Sequence, residues 1–264
     1  MEDLKNKRIL VGIPSASGMI SAYVFNSYMQ LDRPCPIAPL IIERQSVDEA
    51  RNYIMEIAIR MQVDYIFFGD DDGVLPTDTL TKLIEDDKDI VGAPMMTRNP
   101  RERGEHALCV FEKYDFYIGD GKNVSKYRSM KELRDPNDPK KYLFSVDATG
   151  GACLLIKREA FEALFLKHNG RPFEFIHETH ITKEHGVTLR NISEDMCFSE
   201  RAKESGFEIW IDTRIRPVHL GKPKFTRFEM EGEDLPLIKE PLRGVANLSE
   251  SLKIDNIDSN GKQI

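Results

Sequence analysis

Short apolar runs alternate with stretches of helical periodicity through the first 96 residues of the chain. Four apolar runs have the length and the bounding residues of buried strands: 8–14, 37–43, 64–69 and 89–94. Three stretches between them carry apolar residues at helical spacing: 18–31, 46–61 and 77–85. Ser46, followed three residues later by Glu49, predicts a capping box. This alternation predicts an α/β fold with a mostly parallel, doubly wound central sheet flanked by helices.

The second half of the chain is less regular. Residues 97–145 are polar, and a hairpin-like stretch at 114–122 predicts an excursion over the sheet. Regular structure is predicted to resume as a strand within 146–156, helices at 158–166 and 193–205, and a strand at 207–211. Periodicity is lost after residue 222. We therefore expect a domain over 1–222, with halves 1–96 and 97–222, followed by a C-terminal arm or tail at 223–264.

Composition and charge exclude several classes of protein. The 37 Lys and Arg residues face 44 Asp and Glu residues, and a net charge of −7 with a pI near 5.5 argues against binding nucleic acid through bulk charge. No apolar run approaches the ~18 residues of a membrane span, and no signal peptide is recognisable. The four cysteines form no CxxC pair, so reduced thiols and a cytoplasmic location are expected.

The acidic triplet Asp70, Asp71 and Asp72 directly follows the third apolar run. Adjacent carboxylates repel one another, and hard divalent cations such as Mg²⁺ prefer oxygen ligands. If the strand continued, positions 70 and 72 would project to the same side and form an Asp-x-Asp clip. The carboxyl ends of parallel strands face the ligand crevice, where Pro14 and Ser15 end another strand. A cation site is therefore the favoured interpretation, and a solvated acidic turn is the alternative.

The sequence YIFFGDDDGVLP at 65–76 resembles the hydrophobic strand and DxD motif of GT-A-fold glycosyltransferases, especially family 2-like enzymes. Other segments resemble that family's motifs in the same order: Ala-Arg-Asn at 50–52, the strand at 89–92, the glycine-containing segment at 147–158, Ser-Glu-Asp at 193–195 and the late histidine His219. Each motif alone is weak, but their joint order over residues 8 to 222 is specific.

The resemblance implies a metal-dependent glycosyltransferase that moves a sugar from a UDP- or GDP-linked donor to an acceptor hydroxyl. Residues 1–96 would form the nucleotide-binding half and 97–222 the acceptor-side half. Asp72 would bind the ion directly, Asp70 would bind the ion or the ribose hydroxyls, and His219 would supply a nitrogen ligand. This mixed oxygen and imidazole set favours Mn²⁺ over Mg²⁺ without excluding either ion.

The resemblance also implies the catalytic and donor-binding residues. Asp195, with Glu194 beside it, is the expected catalytic base of an inverting transfer, although acids in a first helical turn also stabilise the helix dipole. The residues expected at the nucleotide or its diphosphate are Pro14, Ser15, Arg51, Asp70, Asp71, Gly150, Gly151 and Lys222. A salt bridge to Asp48 or another nearby acid is an equal alternative for Arg51, and a simple turn is the alternative for the two glycines.

A histidine cluster, His177, His180 and His185, lacks the spacing of the HExxH zinc motif. We interpret it as part of an acceptor-side segment in which Phe173 and Phe175 offer apolar faces to a sugar ring.

Two other functions stay open. A nucleotidyltransferase would share the sheet and the carboxylate-bound metal, but it usually has a basic phosphate loop after the first strand, and residues 14–18 contain no Lys or Arg. A noncatalytic carbohydrate-binding or scaffold protein of the same fold is the third hypothesis. A homo-oligomer is compatible with each of these functions.

Overall fold

The computed structural model describes residues 3–97, 106–119, 123–182, 186–220 and 225–227. These residues fall within one compact unit, Met1–Phe228. Within them the α-helices are α1 Ala22–Met29, α2 Val47–Met61, α3 Thr79–Glu85, α4 Arg158–Lys167 and α5 Glu194–Glu204. The strands are β1 Ile9–Ser15, β2 Ile37–Glu43, β3 Tyr65–Gly69, β4 Gly73–Val74, β5 Ile90–Gly92, β6 Val110–Gly119, β7 Asn123–Ser129, β8 Leu143–Val146, β9 Ala148–Thr149, β10 Cys153–Lys157, β11 Ile176–Thr182, β12 Gly186–Ile192, β13 Ile209–Asp212, β14 Val218–Leu220 and β15 Phe225–Arg227.

The central sheet has seven strands in the order β2-β1-β3-β10-β5-β13-β8. Strands β2, β1, β3, β5 and β13 share one direction, whereas β10 and β8 run against them. The α/β prediction with a mostly parallel central sheet is thus confirmed. Strand β10 from the second half of the chain lies between β3 and β5 and is antiparallel to both.

The position of β10 follows from its side chains. Cys153, Leu154, Leu155 and Ile156 are each no more than 1% exposed, so the strand is apolar on both faces. Such a strand is stable only in the middle of a covered sheet. Strands β1 and β3 are buried in the same way, and this burial is why they are recognisable in the sequence as short apolar runs.

The helices begin and end near the predicted positions, but α1 starts later than expected and α2 lacks the predicted capping box. Helix α1 starts at Ala22 rather than near residue 18, because the Ser21 hydroxyl accepts a hydrogen bond from Val24 N and caps the helix there. The side chain of Ser46 makes no capping hydrogen bond, so the capping-box prediction for α2 is wrong. The carboxylates of Asp48 and Glu49 nevertheless lie in the first turn, where the helix dipole favours negative charge.

Two smaller sheets are formed by strands that do not belong to the central sheet. The predicted hairpin at 114–122 is confirmed as the antiparallel pair β6 and β7, and residues 120–122 of its turn lie outside the described residues. A three-stranded sheet, β15-β14-β4, joins residues 218–220 to residues 73–74. Of the predicted tail, residues 225–227 form β15, whereas 223–224 and 228–264 lie outside the described residues, and the domain boundary at 222 stays a prediction.

The four cysteines are free thiols, as expected from their spacing. In the part of the chain that the structure describes, no helix is both long and apolar enough to cross a membrane.

A buried acidic pair ties the end of α3 to the end of β13. Arg214 Nη2 lies 2.8 Å from Asp86 Oδ1 and 2.8 Å from Asp212 Oδ2, and both aspartate side chains are almost completely buried. Burial and the adjacent Asp212 carboxyl raise the pKa of Asp86 to about 7, against the opposing charge of Arg214. The cluster therefore contains a carboxyl that is protonated in the folded protein at pH values where it is ionised in the unfolded chain.

This difference predicts a pH dependence of stability. Between the unfolded-state pKa of about 4 and the folded-state pKa of about 7, the native state binds more protons, so the free energy of unfolding falls as pH rises and levels off above about 7. Asp86→Asn, which resembles the neutral form, is expected to reduce this slope and to gain stability relative to wild type at pH 8. Denaturant unfolding at pH 4, 6 and 8 measures both effects, and equal slopes for the two proteins would contradict the role of Asp86.

Candidate functional site

The acidic triplet lies in a turn rather than on a strand. Strand β3 ends at Gly69, and Asp71 and Asp72 turn the chain into β4. The strand alternation on which the predicted Asp-x-Asp clip relied is therefore absent at positions 70–72, and the clip itself stays a prediction. Each carboxylate meets a different partner: Asp70 meets Arg51, Asp71 meets Ser15, and Asp72 meets His219. Because each carboxylate interacts with its own partner, the repulsion between the adjacent negative charges is reduced.

Asp72 and His219 lie side by side although 147 positions separate them in the sequence. Strand β14 pairs with β4, so that His219 is opposite Gly73 and Leu220 N donates a 2.8 Å hydrogen bond to the Asp72 carbonyl. The imidazole Nε2 is 3.1 Å from Asp72 Oδ1. This contact brings together two members of the predicted metal set from distant parts of the chain.

The other ring nitrogen of His219 fixes the orientation of the imidazole. Nδ1 is 2.7 Å from the carbonyl oxygen of Met96, which can only accept, so Nδ1 carries the hydrogen and Nε2 faces Asp72. Burial disfavours the charged ring, but the bonds to Asp72 and Met96 outweigh it and raise the pKa of His219 above its usual value. Metal-ligating histidines commonly donate one ring N–H to a backbone carbonyl in this way, which orients the other nitrogen toward the ion.

The end of β1 contributes to the same edge of the sheet. The Ser15 hydroxyl donates a 2.7 Å hydrogen bond to Asp71 Oδ2, so the ends of β1 and β3 are joined by side chains. Pro14 precedes Ser15 within the buried strand β1. Both residues thus lie at the carboxyl edge of the sheet, as the sequence analysis expected.

Arg51 lies on α2 beneath this edge, with only 2% of its side chain exposed. Its Nη2 is 2.9 Å from Asp70 Oδ1, and its Nη1 is 2.5 Å from Glu194 Oε1. The guanidinium lies 5.6 Å from the centre of the Phe173 ring. Of the two roles left open by the sequence, the structure shows the ion pair, and its partners are two acids other than Asp48.

Burial and charge act in opposite directions on these two acids. Burial raises the pKa of Asp70, Arg51 lowers it and Asp72 raises it further, which leaves it above its usual value. Burial likewise raises the pKa of Glu194, with Arg51 lowering it and Asp195 raising it. The single guanidinium therefore compensates only part of the negative charge gathered around it.

Helix α5 places Asp195 beside the glycine-containing segment. The Asp195 carboxylate accepts hydrogen bonds from the Ser193 hydroxyl and, at 2.8 Å, from Met196 N. A Cβ atom on Gly150 would lie 3.6 Å from Asp195 Oδ2, so Gly150 and Asp195 are neighbours. At Gly151 a Cβ atom would lie only 2.5 Å from the Arg51 Cζ, so the backbone there passes directly over the guanidinium.

Two residues that the sequence analysis did not assign also support the site. The Tyr28 hydroxyl donates a 3.2 Å hydrogen bond to the Asp70 carbonyl, and a Cβ on Gly69 would collide with it at 1.9 Å. The Asn52 Nδ2 donates a 2.7 Å hydrogen bond to the Phe173 carbonyl oxygen, and the Asn52 Oδ1 accepts a 3.0 Å hydrogen bond from Phe173 N. Asn52 was detectable through the Ala-Arg-Asn motif, whereas nothing in the sequence near α1 indicated Tyr28.

Part of the predicted acceptor-side segment is arranged differently. Phe173 is fully buried, stacked on Phe198 with ring centres 4.3 Å apart, so the expectation that it offers a face to a sugar ring is wrong. Phe175 is 43% exposed. His177 Nδ1 contacts Asn191 Oδ1 at 2.8 Å, whereas His185 and Lys222 lie outside the described residues. Within the described ranges, no group of three or more His, Cys, Asp or Glu side chains is arranged as a metal site.

Comparisons with known proteins give no sequence match and only distant structural likeness. No family model matches the chain, and no curated protein matches its sequence. Among solved structures, A197 from STIV has a TM-score of 0.47 and 13% identity, over 88% of this chain and 98% of that one. S. aureus TarS 1-349, solved in complex with UDP-GlcNAc, has a TM-score of 0.38 and 12% identity, over 78% of this chain and 55% of that one. Likeness at this level carries no conclusion about activity.

The contact between Gly151 and Arg51 predicts a sharp stability effect. Because Arg51 is held by an acid at each side, its guanidinium cannot move away from a methyl group 2.5 Å distant. Gly151→Ala should lower the free energy of unfolding by about 1–3 kcal/mol. Gly73→Ala, where the nearest atom is 3.7 Å away, is the matched control and should change it by less than about 0.5 kcal/mol. Equal denaturation midpoints for the two variants would disprove the steric role.

Proposed function

We propose that this protein is a metal-dependent glycosyltransferase that transfers a sugar from a UDP- or GDP-linked donor to an acceptor hydroxyl with inversion. The observation that carries the proposal is the 3.1 Å contact between His219 Nε2 and Asp72 Oδ1 at the carboxyl edge of the central sheet. It joins a carboxylate and an imidazole from distant parts of the chain at the place where α/β sheets bind nucleotides.

The charge at this edge supports a cation. The acids grouped here are Asp70, Asp71, Asp72, Glu194 and Asp195, and they outnumber the basic partners Arg51 and His219. Asp72 and His219 would hold the ion, with Asp70 nearby, and the oxygen and nitrogen donors fit Mn²⁺ or Mg²⁺. When bound, such an ion supplies a Lewis acid for the negative charge of a diphosphate leaving group.

The ends of β1 and β3 suit the remainder of the donor. Ser15 and Asp71 offer a hydroxyl and a carboxylate that hydrogen-bond one another and can exchange that bond for ribose hydroxyls. Pro14, Gly150 and Gly151 provide backbone at the same edge, and Lys222 stays a proposed partner of the diphosphate. Arg51 acts on the donor through Asp70, because its buried side chain is already paired with two acids.

Asp195 is the proposed general base. Its carboxylate takes the proton of the acceptor hydroxyl while the acceptor oxygen bonds to the anomeric carbon and the bond from that carbon to the phosphate oxygen breaks. The electron pair of the broken bond leaves on the nucleoside diphosphate. The Ser193 hydroxyl and Met196 N–H hold the Asp195 carboxylate in one orientation, which suits a group that must face the acceptor.

Two other functions are separated from this one by a binding screen. A nucleotidyltransferase would bind a nucleoside triphosphate in preference to a sugar nucleotide, and a scaffold protein would bind neither. A thermal-shift screen of nucleotides and sugar nucleotides, with and without Mn²⁺, distinguishes all three, because a ligand of the folded state raises the melting temperature by mass action. A shift by UDP- or GDP-sugars that requires Mn²⁺ supports the glycosyltransferase.

Asp72→Asn should remove metal-dependent donor binding, because it replaces an anionic ligand by a neutral amide of the same shape. We expect the affinity for UDP or GDP in the presence of Mn²⁺ to fall on the order of 100-fold. This is the upper end of the loss in metal affinity that follows even when a residue hydrogen-bonded to a metal ligand is changed. Calorimetry in Mn²⁺ measures this loss. Asp32→Asn, which changes an exposed carboxylate, is the control. Unchanged affinity in Asp72→Asn would refute the metal assignment.

Asp195→Asn should separate chemistry from binding. Loss of a general base lowers the rate by about 100- to 10,000-fold, whereas nucleotide affinity should stay within about threefold of wild type. Steady-state transfer assays and calorimetry on the same preparation measure the two quantities. Turnover at the wild-type rate would remove Asp195 from the mechanism.

A further inference from the structure

Arg51 connects the two acidic groups of the site through one planar side chain. Its Nη2 is 2.9 Å from Asp70, which follows the central strand β3, and its Nη1 is 2.5 Å from Glu194, the first residue of α5. Asp70 belongs to the turn that carries Asp72, and Glu194 precedes Asp195. The guanidinium is therefore the direct link between the proposed donor side and the proposed base.

The surroundings of Arg51 hold this link in one geometry. The Gly151 backbone covers one part of the guanidinium at a distance that excludes any side chain, and the Phe173 ring lies nearby at 5.6 Å. Phe173 is itself fixed by paired hydrogen bonds to Asn52, the residue next to Arg51 on α2. A guanidinium fork held in this way defines the separation of its two carboxylate partners.

Stability alone is a weak reason for such an arrangement. Buried ion pairs often contribute little net stability, because the desolvation of the charges offsets their attraction. Here the guanidinium is almost completely buried, with the Glu194 carboxylate buried beside it. The bridge formed by Asp70, Arg51 and Glu194 is better explained by the geometry that it imposes on the two acidic groups.

The geometry points to Arg51 as a positioning residue that sets the distance between the donor-binding acids and the catalytic base, an inference that rests on the proposed function. Glu194 is then the anchor of the base-bearing helix α5 rather than a second acid in the reaction. Substitutions in the bridge should slow transfer without removing the nucleotide site, because a displacement of about 1 Å between reacting groups can lower a rate about 100-fold.

Two conservative substitutions test the bridge from its two ends. Arg51→Lys keeps the positive charge but offers a single ammonium in place of the fork, and Glu194→Gln keeps the shape of the anchor but removes its charge. The matched control is Arg60→Lys, which alters an exposed arginine paired with Glu56 on the same helix. Calorimetry with UDP or GDP in Mn²⁺ counts the intact nucleotide sites of each preparation, and the transfer rate is divided by that count.

We expect the rate per nucleotide site to fall about 10- to 100-fold in Arg51→Lys and Glu194→Gln, with nucleotide Kd within about threefold of wild type. The double variant should be no slower than the slower single variant, because both changes break the same bridge. Arg60→Lys should match wild type. A merely structural role would reduce the number of sites but leave the rate per site unchanged.

The outcomes separate this inference from the proposed function. A wild-type protein that binds no nucleotide and transfers no sugar overturns both. An active wild type with unchanged rates per site in the bridge variants overturns only the positioning role. If Arg51→Lys does not fold, Glu194→Gln decides the question, since Arg51 and the volume of the anchor are both preserved in that variant.

Discussion

The paired contacts of the Arg51 guanidinium are the interaction on which the rest of the site depends. Asp70 is partly buried and Glu194 is buried, and each would repel its acidic neighbours without a compensating charge. One arginine between them permits the turn after β3 and the start of α5 to lie together. The glycine at 151 is the steric condition for this contact, because any larger residue would occupy the space of the guanidinium.

A second consequence is the divergence of the acidic triplet. On a straight strand Asp70 and Asp72 would project to the same face and repel one another. By turning at Asp71 and Asp72, the chain directs each carboxylate to its own partner, and the short strand β4 then pairs with β14 to deliver His219. The turn therefore separates the three carboxylates and also places Asp72 beside His219, the contact on which the proposed metal site depends.

Much of the fold was predictable because its central strands are buried on both faces. The runs at 65–69 and 8–14 are detectable in the sequence as β3 and β1, since burial demands apolar side chains at successive positions. The insertion of β10 between β3 and β5 was not predictable, because strand order depends on pairing between distant segments. The capping box at Ser46 failed for a local reason: its residues were suitable, but the side chain makes no capping hydrogen bond.

By itself the sequence determined the α/β class, the strand ends near Ser15 and Gly69, and the residue types available for chemistry, because these follow from local apolar patterns and side-chain identity. Only the tertiary structure decided which of those residues meet. In the folded protein Asp72 contacts His219, and Arg51 forms ion pairs with two acids. Phe173 is buried near the Arg51 guanidinium. Such contacts depend on packing across the whole sheet, and no local pattern in the chain encodes a distance between residues more than a hundred positions apart.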